Sequence, residues 1–321
     1  MKAIRFDRVS KQFPGAPRPS VDECSFAVEA GQFVTLLGPS GCGKTTLLKM
    51  VNRLYEPTGG TIFIDSTDVR KLPVTELRRQ IGYVIQQTGL FPHLTVAQNI
   101  AVVPTLLKWS KDKIAARVDE LLALIELAPD EYRSRYPAQL SGGQQQRVGL
   151  ARALAADPGV ILMDEPFSAI DAITREALQD EMLRLQRKVR KTILFVTHDV
   201  EEALRLADKI VVMRTGKIVQ YDTPFNILTR PADPFVAELL GADDIVRRLG
   251  LIRVAGAMAP LSPGSHIDGA PTIGADGDLR EALSALLRTG AESLIVRQGD
   301  QAVGRVALEQ IRDAARVRVP A

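Results

Sequence analysis

One stretch restricts the fold more than any other. The apolar run Phe33 to Leu37 passes without a break into Gly38-Pro39-Ser40-Gly41-Cys42-Gly43-Lys44-Thr45-Thr46, a G-x4-G-K-T loop set where a strand gives way to a helix. Its glycines let backbone N–H groups converge on the β-phosphate of a nucleotide, and the helix N-terminus favours the anion. Lys44 neutralises the β/γ oxygens and the Thr45 hydroxyl suits Mg²⁺. ATP and Mg²⁺ are the expected ligands, with Gly38 through Thr46 as the nucleotide cradle.

Further short apolar runs fit the α/β sheet that such a loop needs. Ser25 to Val28, Thr61 to Ile64, Val160 to Met163, Thr192 to Val196 and Lys209 to Met213 alternate with turns and helical patterns, which predicts a largely covered sheet. Ile114, Val118, Leu121 and Ile125 recur at helical spacing, as do Leu178, Met182, Leu185 and Val189, and both sets read as packing faces. The run Val160 to Met163 ends in Asp164-Glu165, so two carboxylates reach the carboxyl edge of the sheet, where such folds bind ligands. Asp164 suits Mg²⁺, and Glu165 suits the water that attacks the γ-phosphate.

Between these motifs lies Leu140-Ser141-Gly142-Gly143-Gln144-Gln145-Gln146-Arg147. Its serine and paired glycines open a helix and offer a second anion-binding N-terminus. One nucleotide hardly needs two such sites. The economical explanation is that Ser141, Gly142, Gly143 and Gln144 meet the γ-phosphate of an ATP held by a second copy, so that hydrolysis requires a homodimer.

The chain has 321 residues, of which 45% are hydrophobic and 25% charged, enough for one α/β domain and a small appendage. A net charge of +3 gives no electrostatic case for nucleic acid as a partner. The two cysteines are Cys24 and Cys42, and a disulfide at Cys42 would obstruct the loop, which points to a reducing compartment. The N-terminus lacks the apolar stretch of a signal peptide, and no run approaches the roughly 18 apolar residues of a spanning helix. Any membrane this protein serves is therefore expected to be crossed by other chains.

The phosphate loop, LSGGQQQR, ILMDEP and Thr197-His198-Asp199, in this order, resemble the nucleotide-binding domain of ABC transporters over about residues 2 to 240. The resemblance implies that His198 contacts the γ-phosphate. It implies that Gln86 reaches Mg²⁺ and the attacking water and begins a loop facing membrane subunits. Ser168-Ala169-Ile170-Asp171 resembles the loop that couples two active sites across a dimer, with Ile170 in place of the usual leucine, and puts Asp171 at the nucleotide. Phe13 falls where the family places an aromatic ring to stack on adenine, which needs a π face rather than a hydroxyl.

An ABC ATPase acting on DNA or ribosomes is the alternative class. Chromosome and repair ATPases insert long coiled coils between phosphate loop and signature, whereas Gly38 and Ser141 are about a hundred residues apart without sustained heptads. Ribosomal relatives usually carry two such domains. The lone domain resembles bacterial importers, peripheral on the cytoplasmic face of the inner (plasma) membrane, with permease subunits and a periplasmic or extracellular substrate-binding protein as partners. Asn52 to Gly60 and residues 81 to 109 are similar to glycine betaine, choline and related osmoprotectant importers. Import of an amino acid, sulfonate or polyamine is the runner-up.

Composition shifts after Leu251, where an Ala-, Gly- and Pro-rich stretch begins. The expected organisation is a P-loop ABC-type domain over 1–242, a linker over 243–270 and a small α/β domain over 271–317. The last shows a β-α-β-β-α pattern that resembles one CBS module, a regulatory unit found in that importer group. The family's G-x-x-T-x-x-D nucleotide pattern reads here as Gly304 to Gln310 without its threonine or aspartate, which argues against adenosine as a tail ligand.

Overall fold

The computed structural model describes residues 2–86, 89–168, 172–261 and 269–315. In the first unit, Met1–Tyr221, β1 (Lys2–Lys11) pairs antiparallel with β2 (Val21–Glu29) and with β4 (Gly59–Ile64), and β4 with the short β5 (Thr67–Asp68). A second sheet has the order β10-β9-β3-β8-β7-β6. Its strands are β3 (Phe33–Leu37), β6 (Ile81–Val84), β7 (Val160–Asp164), β8 (Thr192–Val196), β9 (Lys209–Arg214) and the edge strand β10 (Lys217–Asp222). From β6 to β9 the neighbours run parallel, which requires crossovers rather than hairpins.

Those crossovers carry the helices α1 (Lys44–Val51), α2 (Val74–Arg79), α3 (Val96–Leu106), α4 (Lys111–Leu124), α5 (Pro129–Tyr132), α6 (Gly142–Leu154), α7 (Ala172–Val189) and α8 (Val200–Leu206). Side chains on a strand alternate between faces, and here both faces are covered. Val34 and Leu36, Leu162, Leu194 and Val196 join one core with Leu47 and Leu48 of α1 and Ile4 and Phe6 of β1. Phe33, Ile161, Met163, Ile193 and Phe195 enter the opposite core, with Val118 and Leu121 of α4, Val148 of α6, and Leu178 and Met182 of α7. Two cores explain why β3, β7 and β8 read as near-continuous apolar runs. β1 escapes that signal because only Ala3, Ile4, Phe6 and Val9 are buried while charged residues alternate with them.

The second unit, Asp222–Ala321, begins with α9 (Pro224–Thr229), α10 (Pro234–Leu240), α11 (Ile245–Leu249) and α12 (Val254–Ala257). Then come β11 (Thr272–Gly274), α13 (Leu279–Thr289), β12 (Ser293–Gln298), β13 (Gln301–Ala307) and α14 (Leu308–Ala315). This is the β-α-β-β-α order expected from the sequence. A capping box between Asp278 and Glu281 starts α13, and Gly290 at φ 66° ends it.

Two features differ from the expected organisation. Compactness divides the chain between Tyr221 and Asp222, ahead of residue 242. The stretch read as a linker also contributes α11 and α12, with Leu249 and Val254 buried beside Leu279, Leu286, Leu294 and Ile311. Val254 N–H donates to the Gly277 carbonyl at 2.9 Å, and Ala259 and Arg305 exchange two backbone hydrogen bonds of 2.8 Å. The short apolar cluster before the Ala- and Gly-rich stretch is too brief for a clear period, so composition reads as a linker what pairing turns into structure. Among the described residues no helix is long and apolar enough to cross a membrane.

Candidate functional site

β3 ends at Leu37 and α1 starts at Lys44, and the six residues between depend on glycine. Gly38, Gly41 and Gly43 take φ of 154°, 76° and 108°, a region L side chains avoid. A Cβ on Gly43 would stand 2.2 Å from the Ser20 carbonyl oxygen, and one on Gly38 2.2 Å from that of Met213. Gly43→Ala is therefore expected to abolish nucleotide binding while the second unit stays folded, measurable by ATP titration and limited proteolysis. No side chain caps α1, which leaves its first N–H groups to an anion. Lys44 is 5% exposed. Its Nζ donates to the carbonyls of Gly38 at 2.7 Å and Pro39 at 3.0 Å, folding the ammonium over the loop.

β7 lies beside β8, and β8 beside β3, so the end of β7 comes level with the loop. Asp164 Oδ1 accepts a 2.8 Å hydrogen bond from the Thr45 hydroxyl. Burial pushes the Asp164 carboxyl above its usual range, and the Thr45 bond and Lys49 oppose that shift. Two hard oxygen donors thus meet at the mouth of the cradle, a set that fits Mg²⁺ completed by phosphate oxygens. Glu165 breaks the strand, with φ at 46° and its N–H donating to the Val196 carbonyl at 3.0 Å. Its Oε2 lies 3.0 Å from Nδ1 of His198. A non-glycine residue in that backbone region costs energy, which the surrounding structure offsets.

An open cleft of about 550 Å³ gathers Ser40, Gly41, Gly43 to Thr46, Glu165 and His198. Ser20 also lines it. No motif announces Ser20; its N–H is tied to the Lys11 carbonyl at 2.8 Å, and tertiary packing alone sets it against Gly43.

Ser141 to Gln144 do not line this cleft. Ser141 caps α6 in a capping box with Gln144, and Ser141 and Gly142 are exposed. A Cβ on Gly142 would meet nothing within 4 Å, so none of the described residues demands that glycine. Gln86 is exposed just after β6, whose Val84 pairs with Met163 next to Asp164. Phe13 stays outside both cores of the first unit. It is half-buried and edge-on to Tyr55, with ring centroids 5.3 Å apart. Asp171 lies outside the described residues.

Comparison with known proteins adds four findings. The family model described as ABC transporter matches residues 21–168. A glycine betaine/carnitine/choline transport ATP-binding protein of Bacillus subtilis is 47% identical over 91% of this chain and 75% of its own length. A glycine betaine uptake system ATP-binding protein of Escherichia coli is 50% identical over 91% of this chain and 93% of its own. Among solved structures, a dimeric ATP-binding cassette in a post-hydrolysis state with ADP and Pi superposes with a TM-score of 0.61. That cassette is 33% identical and covers 69% of this chain and 98% of its own.

Proposed function

The chain belongs to the ABC transporter family, and from that premise we propose that it is the ATP-hydrolysing subunit of an importer for quaternary amines of the glycine betaine and choline type. The solute class is carried by one observation: relatives 47% and 50% identical over 91% of the chain are named for transport of those compounds. The hydrolytic role is supported by the cleft itself, which places Lys44, Thr45, Glu165 and His198 together at the carboxyl edge of a parallel sheet.

In this reading the loop amides from Gly38 to Thr46 and the Lys44 ammonium take the β- and γ-phosphates, and Phe13 stacks on adenine. Thr45, Asp164 and Gln86 would hold Mg²⁺, which when bound neutralises charge on the phosphates. Glu165 orients the attacking water and accepts its proton. His198, 3.0 Å from Glu165, contacts the γ-phosphate. Because Ser141 to Gln144 stand apart from this cleft, they close on the ATP of a second copy, with Asp171 lending its loop across the same interface. The result is a homodimer that sandwiches two nucleotides. Closing and reopening it drives permease subunits on the cytoplasmic face of the membrane, fed by a substrate-binding protein. Residues 271–317 are read as a single CBS-like regulatory module.

The test is ATPase activity of the subunit reconstituted with its membrane partners and binding protein. We expect glycine betaine or choline to stimulate hydrolysis and amino acids to leave it unchanged. Stimulation by amino acids instead would discard the solute class. Failure to recover any membrane partner would discard the importer.

A further inference from the structure

Beneath the cleft lies a polar cluster with no role in the steps above. Thr197, Glu202 and Gln179 are 2%, 5% and 5% exposed, yet all three are polar or charged. They come from three elements: the end of β8, the first turn of α8, and the middle of α7. The Thr197 hydroxyl donates to Glu202 Oε2 at 2.6 Å, and Gln179 Nε2 donates to Glu202 Oε1 at 3.3 Å. The Asp199 N–H donates back to Thr197 Oγ1 at 3.0 Å.

A threonine hydroxyl has one proton, and here the oxygen is already an acceptor for Asp199, so that proton goes to Glu202. Gln179 supplies a second donor. Glu202 is thus placed to accept on both oxygens. Burial raises its pKa, while the Thr197 bond, Arg175 and Gln179 act against that. A buried carboxyl is tolerated only where its hydrogen bonds are made.

The cluster surrounds His198 along the backbone. Thr197 on one side is held by its side chain and by its own N–H, which donates to the Leu36 carbonyl at 3.2 Å, on the strand that delivers the phosphate loop. Asp199 on the other side is held through its N–H, and its Oδ2 lies 3.7 Å from Arg175 of α7. The imidazole between them is 60% exposed, with its Nδ1 3.0 Å from Glu165 Oε2. Its aim is thus set from below.

We propose that Glu202 and Gln179 are positioning residues for ATP hydrolysis, forming a buried donor–acceptor bolt that fixes the backbone on both sides of His198 and ties it to α7. This rests on the reading of Glu165 and His198 as the hydrolytic pair. Glu202→Gln keeps an acceptor for Thr197 but turns a donor toward the Gln179 donor, so the Gln179 amide must reverse or give up its bond. Exchanging the two groups, as Gln179→Glu with Glu202→Gln, keeps an acceptor for Thr197 and restores a donor facing a carboxylate.

The experiment uses the full chain and measures kcat, ATP affinity and thermal melting for wild type, His198→Ala, Glu202→Gln and the exchanged pair. His198→Ala is expected to lower turnover; if it does not, the hydrolytic reading fails first. Given that loss, Glu202→Gln should lower kcat roughly 10- to 100-fold with ATP affinity unchanged, and the exchanged pair should recover it. Wild-type turnover in Glu202→Gln would overturn the proposal. So would an equal loss of ATP affinity, which marks a general structural role, or an exchanged pair that stays as slow as the single variant.

Discussion

Glu165→Gln binds ATP but turns it over at least about a hundredfold more slowly, the low end of what a positioned general base contributes, and it accumulates as a nucleotide-bound dimer. The side chain keeps its size, so the turn set by φ 46° and by the N–H bond to Val196 survives. What is lost is the acceptor for the proton of the attacking water. Thr45, Asp164 and Lys44 are untouched, so nucleotide still enters. With hydrolysis blocked, the second copy's Ser141 to Gln144 remain closed on the γ-phosphate. Stopped-flow phosphate release together with light scattering in ATP reads both parts. Undiminished turnover would show that another group positions the water. Slow turnover without a dimer would leave Ser141 unexplained.

How much of this was legible in the sequence depended on whether the cause was local. The phosphate loop could be read because its glycines answer to the loop's own backbone. Asp164 and Glu165 could be read because four apolar residues place them at a strand end. The cap at Ser141 and the start and stop of α13 follow from side chains within a few residues of each other. Ser20, by contrast, reaches the cleft only through packing on Gly43. Glu202 and Gln179 are polar residues within helices, and nothing local says that these two face inward toward Thr197. α11 and α12 were hidden for a related reason, since the core that Leu249 and Val254 join is built from residues tens of positions further on.

The second large effect is expected at Lys44. Lys44→Ala removes the one ammonium within the cradle, and with it charge-assisted hydrogen bonds to phosphate that are worth about 1.5–3 kcal/mol each. ATP affinity should fall about tenfold to a hundredfold or more, and turnover with it. The same substitution also deletes the bonds from Nζ to the Gly38 and Pro39 carbonyls, so loss of binding by itself could report a collapsed loop. Lys44→Arg separates the two causes. It keeps a positive charge and several donors to the loop carbonyls, but replaces a compact ammonium by a planar fork in a space where Lys44 is only 5% exposed. If Lys44 acts through phosphate, both variants lose ATP affinity while melting without nucleotide stays near wild type. If it acts chiefly by bracing the loop, melting without nucleotide drops in Lys44→Ala and is largely kept in Lys44→Arg. Unchanged ATP binding in both variants would remove the phosphate loop from the site altogether.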